Sequence, residues 1–216
     1  MSSDDFQYDK LTEIRDGLLD QKCKWKWITH DDGAWDGPIK DWQSHQHAFY
    51  KYVRNFDVVI TAGANQGLYT WAHAQRFKNV YSFEPDQLNF HCMVNNCQLD
   101  NVFKFNCALG ATNHFATLNY SRHNTNTGTF SMEKKPGNVP VLSIDSFNFP
   151  SLDLIQLDIE GGEYDAIVGA EQSIWNFKPV IVVENGHTAN IIEIMKNFKY
   201  TLKDCSAADS IWVPEM

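Results

Sequence analysis

Three clusters in this sequence hold side chains able to bind or turn over a ligand. The first is a small-residue turn, Gly63, Ala64, Asn65 and Gly67, entered from the apolar run Val58 to Ile60 through Thr61. Glycines there let a ligand lie against main chain, and Ala64 keeps that wall thin. About twenty residues on, a second apolar run from Val80 to Phe83 ends on Glu84. A carboxylate at that point can accept hydrogen bonds from two vicinal hydroxyls, the pattern of an adenosine ribose. The spacing alone also suits a dinucleotide, but the turn reads GANQG rather than GxGxxG, and Asn65 offers an amide to a ligand carboxylate or amine. Glycine turns of this kind also occur without any ligand, so Glu84 is what favours a site.

The second cluster is Asp158, Glu160 and Glu163, at the end of the apolar run Leu152 to Leu157. Glu160 and Glu163 suit a helix N-terminus electrostatically, whereas Asp158 reads as functional. The third is Glu184-Asn185-Gly186-His187, after Pro179 to Val183. His187 is the histidine placed at an expected strand exit, where an imidazole titrating near neutrality can accept a proton.

In an open α/β sheet the carboxyl ends of neighbouring strands converge on one crevice, so these clusters ask for a mostly parallel sheet. The chain supplies one. Asp86 caps a helix expected through Gln98, with Leu88, Met93, Val94 and Cys97 on one side. Val102 to Cys107 reads as a third strand; its exit, Asn106-Cys107-Ala108, lies where an adenine ring would be flanked, and Asn106 there either bonds a ligand amine or caps a turn. Residues 113–144 change period and read as a hairpin excursion with no clear catalytic group. A helix from Thr188 to Phe198 and an antiparallel pair, Tyr200 to Lys203 and Ser210 to Val213, close the sheet.

Residues 1–56 read as helix, loop, helix: Lys10 to Leu19 and Ile39 to Val53 show helical spacing, with turn signals between them. This segment is dense in Trp25, Trp27, Trp35, Trp42, His30, His45 and His47. Aromatics so spaced are more often core than binding box; the functional alternative is a lid over Gly63 to Gly67.

Composition narrows the class. The chain has 216 residues, 43% hydrophobic and 21% charged, which fits one globular domain. A net charge of -9 argues against nucleic acid or an anionic membrane as partner. No apolar run reaches membrane-spanning length, and MSSDDFQYDK lacks the features of a signal peptide, so a cytoplasmic location is expected. The five cysteines, Cys23, Cys92, Cys97, Cys107 and Cys205, form no CxxC pair and read as reduced thiols, with neither zinc nor a disulfide indicated.

The ordered set TAGANQGLYT, FEPD, NCALG, LSIDSF, LDIEGGEYDAIVGA and KPVIVVEN, across residues 56 to 213, resembles the FkbM-type methyltransferases, a branch of the class I S-adenosylmethionine-dependent enzymes. The resemblance implies a Rossmann-like sheet and S-adenosylmethionine as cofactor. Gly63, Ala64, Asn65 and Gly67 would line its methionine part, Glu84 would hold the ribose, Asn106, Cys107 and Ala108 would flank adenine, and Asp158 would lie by the amino group and the reacting centre. One departure is Thr61, where the family usually has an acid that helps hold the methionine ammonium; a hydroxyl supplies no charge, which leaves that task to Asp158. The family's acceptors, small-molecule hydroxyls of sugars and natural products, imply a base that removes one proton: His187 first, then Asp158, then Glu184. Two acids on adjacent strand ends could instead hold a divalent cation. The rivals from other classes are an NAD- or nucleotide-sugar-dependent enzyme and a non-catalytic nucleoside-binding protein. The expected organisation is a helical lid over residues 1–56 and a cofactor-binding domain over 57–216.

Overall fold

A computed structural model describes residues 8–18, 23–31, 48–120, 126–206 and 209–215. The β-branched run Val58 to Thr61, with Ala62, forms β3 (Val58–Ala62), buried at every position, as a central strand covered on both faces must be. Its side chains alternate. Val58, Ile60 and Ala62 enter one core with Ile155, Leu157, Ile181 and Val183, while Val59 enters the other with Val80, Leu154, Val180 and Val182. These strands follow as β4 (Asn79–Phe83), β5 (Val102–Phe105), β10 (Leu154–Leu157) and β11 (Val180–Glu184).

The large sheet runs β12-β13-β11-β10-β3-β4-β5, where β12 is Tyr200–Ser206 and β13 is Asp209–Pro214. The inner pairs are parallel, and β13 joins β11 and β12 antiparallel, as the sequence implies. The helices are α1 (Leu68–Ala74), α2 (Gln87–Asn96), α3 (Glu163–Val168), α4 (Glu171–Phe177) and α5 (Ala189–Asn197). Asp86 caps α2 as expected, its carboxylate accepting from the Leu88 and Asn89 amides. From β3 the chain steps outward to β4 and β5, then returns past β3 to β10, so a switch in direction falls between β3 and β10. The return passes through a second sheet, β6-β9-β7-β8, formed by Ala108–Leu109, Val139–Leu142, His114–Asn119 and Ser131–Glu133.

The N-terminal expectation needs correction. Thr12–Leu18 is a strand, β1, not part of a helix, and pairs antiparallel with β2 (Cys23–Ile28), a segment the sequence suggested was loop. The residues that suggested a helical stripe, Leu11 and Ile14, are 42% and 56% exposed, so that stripe faces no core. Trp25 and Trp27, two apart on β2, are the buried anchors, and a period of two settles the pairing. Those two tryptophans are core, as the simpler reading of the aromatics held. The second expected helix, Ile39 to Val53, falls largely outside the described residues, as do Trp35, Trp42, His45 and His47; its described end has one helical turn at 48–50. Cys92, Cys97 and Cys107 are buried free thiols. Among the described residues no helix is long and apolar enough to cross a membrane.

Candidate active site

Parallel register brings the strand exits together. Gly63 and Ala64 donate their amides to the Phe83 carbonyl, Glu84 donates its own to Phe105, and the Asp158 amide donates to Ala62. Gly63 has φ +74, and a Cβ on it would run into the Asp158 carbonyl. The glycine is therefore required by the neighbouring chain, whatever ligand lies above it. Gly67 (φ +103) is similar: a Cβ would sit 2.7 Å from Cys97 Sγ, and the residue opens α1 against α2.

A cavity of about 530 Å³ opens at this edge, within the size range of small-molecule sites. Gly63, Asn65, Glu84, Cys107, Ala108 and Asp158 line it. Thr61, Ala64, Gly67 and Asn106 do not. Thr61 is buried and its hydroxyl donates to Gln156 Oε1 (3.4 Å). The Asn106 amide donates to the Glu84 and Pro85 carbonyls at 2.8 and 3.2 Å, which is turn capping. Burial pushes the Cys107 thiol up to about 11, so it contributes surface and no nucleophile.

Glu84 is only 5% exposed, yet it lines the cavity. Its two oxygens accept separately, Oε2 from the Asn65 amide (2.7 Å) and Oε1 from the Asp86 amide (2.8 Å). Those bonds aim the carboxylate and leave lone pairs for further donors. Burial outweighs them and pushes its pKa up to about 8. Asn65 takes the left-handed conformation at φ 48 that places its amide beneath Glu84.

Asp158 faces a different environment. Burial first, and then the Glu184 carboxylate beside it, hold its pKa well above the usual range. Oxygens of Asp158, Glu160 and Glu184 lie within 4.8 Å of one another, a grouping that can share a proton or surround a cation. Glu184 Oε2 is buried and accepts no hydrogen bond from the described chain, so a proton on Asp158 is the donor that would satisfy it. Glu163 has the structural role expected of it, its carboxylate accepting from the Ile159 and Gly161 amides at 3.0 to 3.2 Å. His187 is not brought to the cavity wall; its Nδ1 lies 3.1 Å from Ser210 Oγ on β13.

The excursion between β5 and β10, which the sequence left without a task, forms the far wall through Phe115, Thr127, Phe130, Met132 and Val141. Its place in chain order, bridging the two sides of the switch point, was the available signal.

Comparison with known proteins bears on the fold and the family. Residues 61–202 match the methyltransferase FkbM domain model. No curated protein sequence matches the chain. Among solved structures, methyltransferase FkbM from Methylobacillus flagellatus KT aligns over 76% of this chain and 49% of its own, at 15% identity and a TM-score of 0.52. The chain thus spans about half the length of that relative. Trm5b from Pyrococcus abyssi aligns over 94% of this chain and 55% of its own (12% identity, TM-score 0.51). At these identities such likeness shows the fold, a Rossmann-like methyltransferase sheet, while the domain match extends over most of the sheet and its crossovers. The chain belongs to the FkbM methyltransferase family.

Proposed function

We propose that this protein moves a methyl group from S-adenosylmethionine to a hydroxyl of a small molecule. The observation that carries this is the meeting of the Gly63–Asn65 turn, Glu84 and Asp158 on one cavity at the carboxyl edge of the sheet. The residues fit the nucleoside: Glu84 is an acceptor aimed by two amides, suited to a diol, and the Gly63 turn presents bare main chain to an amino-acid tail. When bound, the sulfonium supplies an electrophilic methyl group.

The protein's own part is alignment and the removal of one proton. Asp158 lies on the cavity wall with Glu184 behind it, and Asp158 in its ionised form accepts the proton of the acceptor hydroxyl. On this reading the base is Asp158, backed by Glu184, and the support for it over His187 is that Asp158 lines the cavity and His187 does not. Residues 57–216 carry this machinery, since every residue lining the cavity falls between Ala62 and Asp165.

Titration calorimetry with S-adenosylmethionine, S-adenosylhomocysteine and NAD tests the cofactor reading, and mass spectrometry of a hydroxylated acceptor panel tests the transfer. Binding of S-adenosylhomocysteine but not NAD, with a gain of one methyl group on a hydroxyl, is expected. NAD binding alone would replace the reading with the dinucleotide one, and nucleoside binding without transfer to any acceptor would leave a binding protein.

A further inference from the structure

One buried carboxylate outside residues 61–202, the span of the family match, bonds Thr127 on one wall of the cavity and Gln66, which follows Asn65 of the other wall. Asp31 is fully buried at the end of the N-terminal hairpin. Its Oδ2 accepts from Gln66 Nε2 at 2.6 Å and from Thr127 Oγ1 at 2.6 Å, and its Oδ1 faces the Thr127 amide at 3.3 Å. Gln66 belongs to the turn after β3, where its amide bonds Asn65 Oδ1 and its Oε1 accepts from the Ile28 amide at 3.0 Å. Thr127, with Gly128, lines the opposite wall. The Asp31 carbonyl is held in turn by Trp27 Nε1 (2.6 Å) and by Arg15.

We infer that Asp31 is a positioning residue that sets the separation of the two cavity walls and so makes the N-terminal hairpin part of the nucleoside site. It meets two N–H donors on different oxygens, Gln66 Nε2 and the Thr127 amide, besides the Thr127 hydroxyl, whose single proton also faces Asn89 Oδ1 at 2.9 Å, so only a group with two acceptor atoms satisfies both N–H donors. A carboxylate does this, whereas an amide turns an NH2 group toward at least one donor. Through Gln66 and Asn65 the same carboxylate acts on the amide that aims Glu84, since the Asn65 amide is Glu84's partner. The inference rests on reading the cavity as a nucleoside site, but its first test does not.

Amide hydrogen exchange on the free protein compares wild type, Asp31→Asn and Thr127→Val, with Val53→Ala as a control for destabilisation at a buried side chain that makes no hydrogen bond to the network. Asp31→Asn is expected to raise exchange at Asn65 to Gly67 and at Thr127 to Thr129 together, by tenfold or more, while Val53→Ala does not. Unchanged protection at either segment overturns the inference, whether or not any nucleoside binds. Calorimetry then shows the consequence. Asp31→Asn and Thr127→Val should each weaken S-adenosylhomocysteine by about tenfold, and the double variant by no more than the weaker-binding single, because both cut one link. Full additivity, or wild-type affinity in Asp31→Asn, also overturns it. Absence of binding in wild type would refute the nucleoside reading and leave the exchange result to decide this one.

Discussion

Two carboxylates stand on the same cavity rim and are held in opposite ways. Glu84 receives two backbone amides and, among the described residues, has Asp86 as the acid that acts on it, whereas Asp158 has a second carboxylate beside it. Both have raised pKa values, and burial leads in each case. The difference lies in what relieves the burial. Glu84 would be relieved by a pair of hydroxyl donors entering the cavity, which is the binding role proposed for it. Asp158 would be relieved by a proton held between it and Glu184, which is the proton-transfer role proposed for it.

The largest effect that could break this contrast is on turnover. Asp158→Asn should lower kcat by roughly 10²–10⁴-fold, the usual loss for a general base. S-adenosylhomocysteine affinity should change less than tenfold in the same variant. A comparable loss in both would mean that Asp158 only binds. Glu84→Ala should show the reverse profile. Loss of an acceptor for two hydroxyls costs about 3 kcal/mol, roughly 100-fold in Kd, while turnover at saturating cofactor falls much less. Unchanged affinity in Glu84→Ala would remove the ribose assignment.

A smaller effect separates the two acids by pH. Glu84 must be ionised to accept two donors, and in the free protein it loses its proton only near 8. Nucleoside affinity should therefore rise between pH 6 and 8, by at most about tenfold per unit, and Glu84→Gln should bind weakly with a flatter profile. Stability moves the other way. The folded carboxyl keeps its proton to about 8 and the unfolded one only to its ordinary value of 4.5, so the folded state holds more protons in between. Stability of the free protein should fall as pH rises across that window, and the fall should be shallower in Glu84→Gln. Thermal melts from pH 5 to 8, with and without S-adenosylhomocysteine, measure both trends.

The strands and their common edge were legible because apolar runs ending in polar clusters leave few alternatives to a parallel sheet, and Glu84 and Asp158 follow from that edge. Individual side-chain directions were not. Gly63 looked like room for a ligand, but the Asp158 carbonyl is what excludes a Cβ there. His187 sits at a strand exit as expected, yet β13 pairs antiparallel with β11, Val183 opposite Ser210, and this puts the Ser210 hydroxyl beside the imidazole. Long-range pairing of this kind carries no local signal. The hairpin at Thr12–Leu18 was hidden for a related reason, since Leu11, Ile14 and Leu18 fit a helical period and only the partner strand with Trp25 and Trp27 decides.

The smallest expected effect concerns the position where the family's acid is absent. Thr61 is 2% exposed, lies on the β3 face opposite Ile60, and shares the Gln156 carbonyl with His73, whose Nε2 lies 2.7 Å from it. Burial holds that imidazole near 4, so at neutral pH it is uncharged and donates from Nε2 while Tyr50 donates to Nδ1. Thr61 thus ends a neutral buried network behind the wall and does not line the cavity. Thr61→Val should cost about 1 kcal/mol of stability, the net worth of one long neutral hydrogen bond at most, and change nucleoside affinity by less than about threefold. Thr61→Asp should destabilise strongly, because a carboxylate there would be buried beside an acceptor rather than beside a cation. A tenfold loss of affinity in Thr61→Val, measured by calorimetry, would place the hydroxyl in contact with the ligand and move the methionine-binding end of the site behind Gly63.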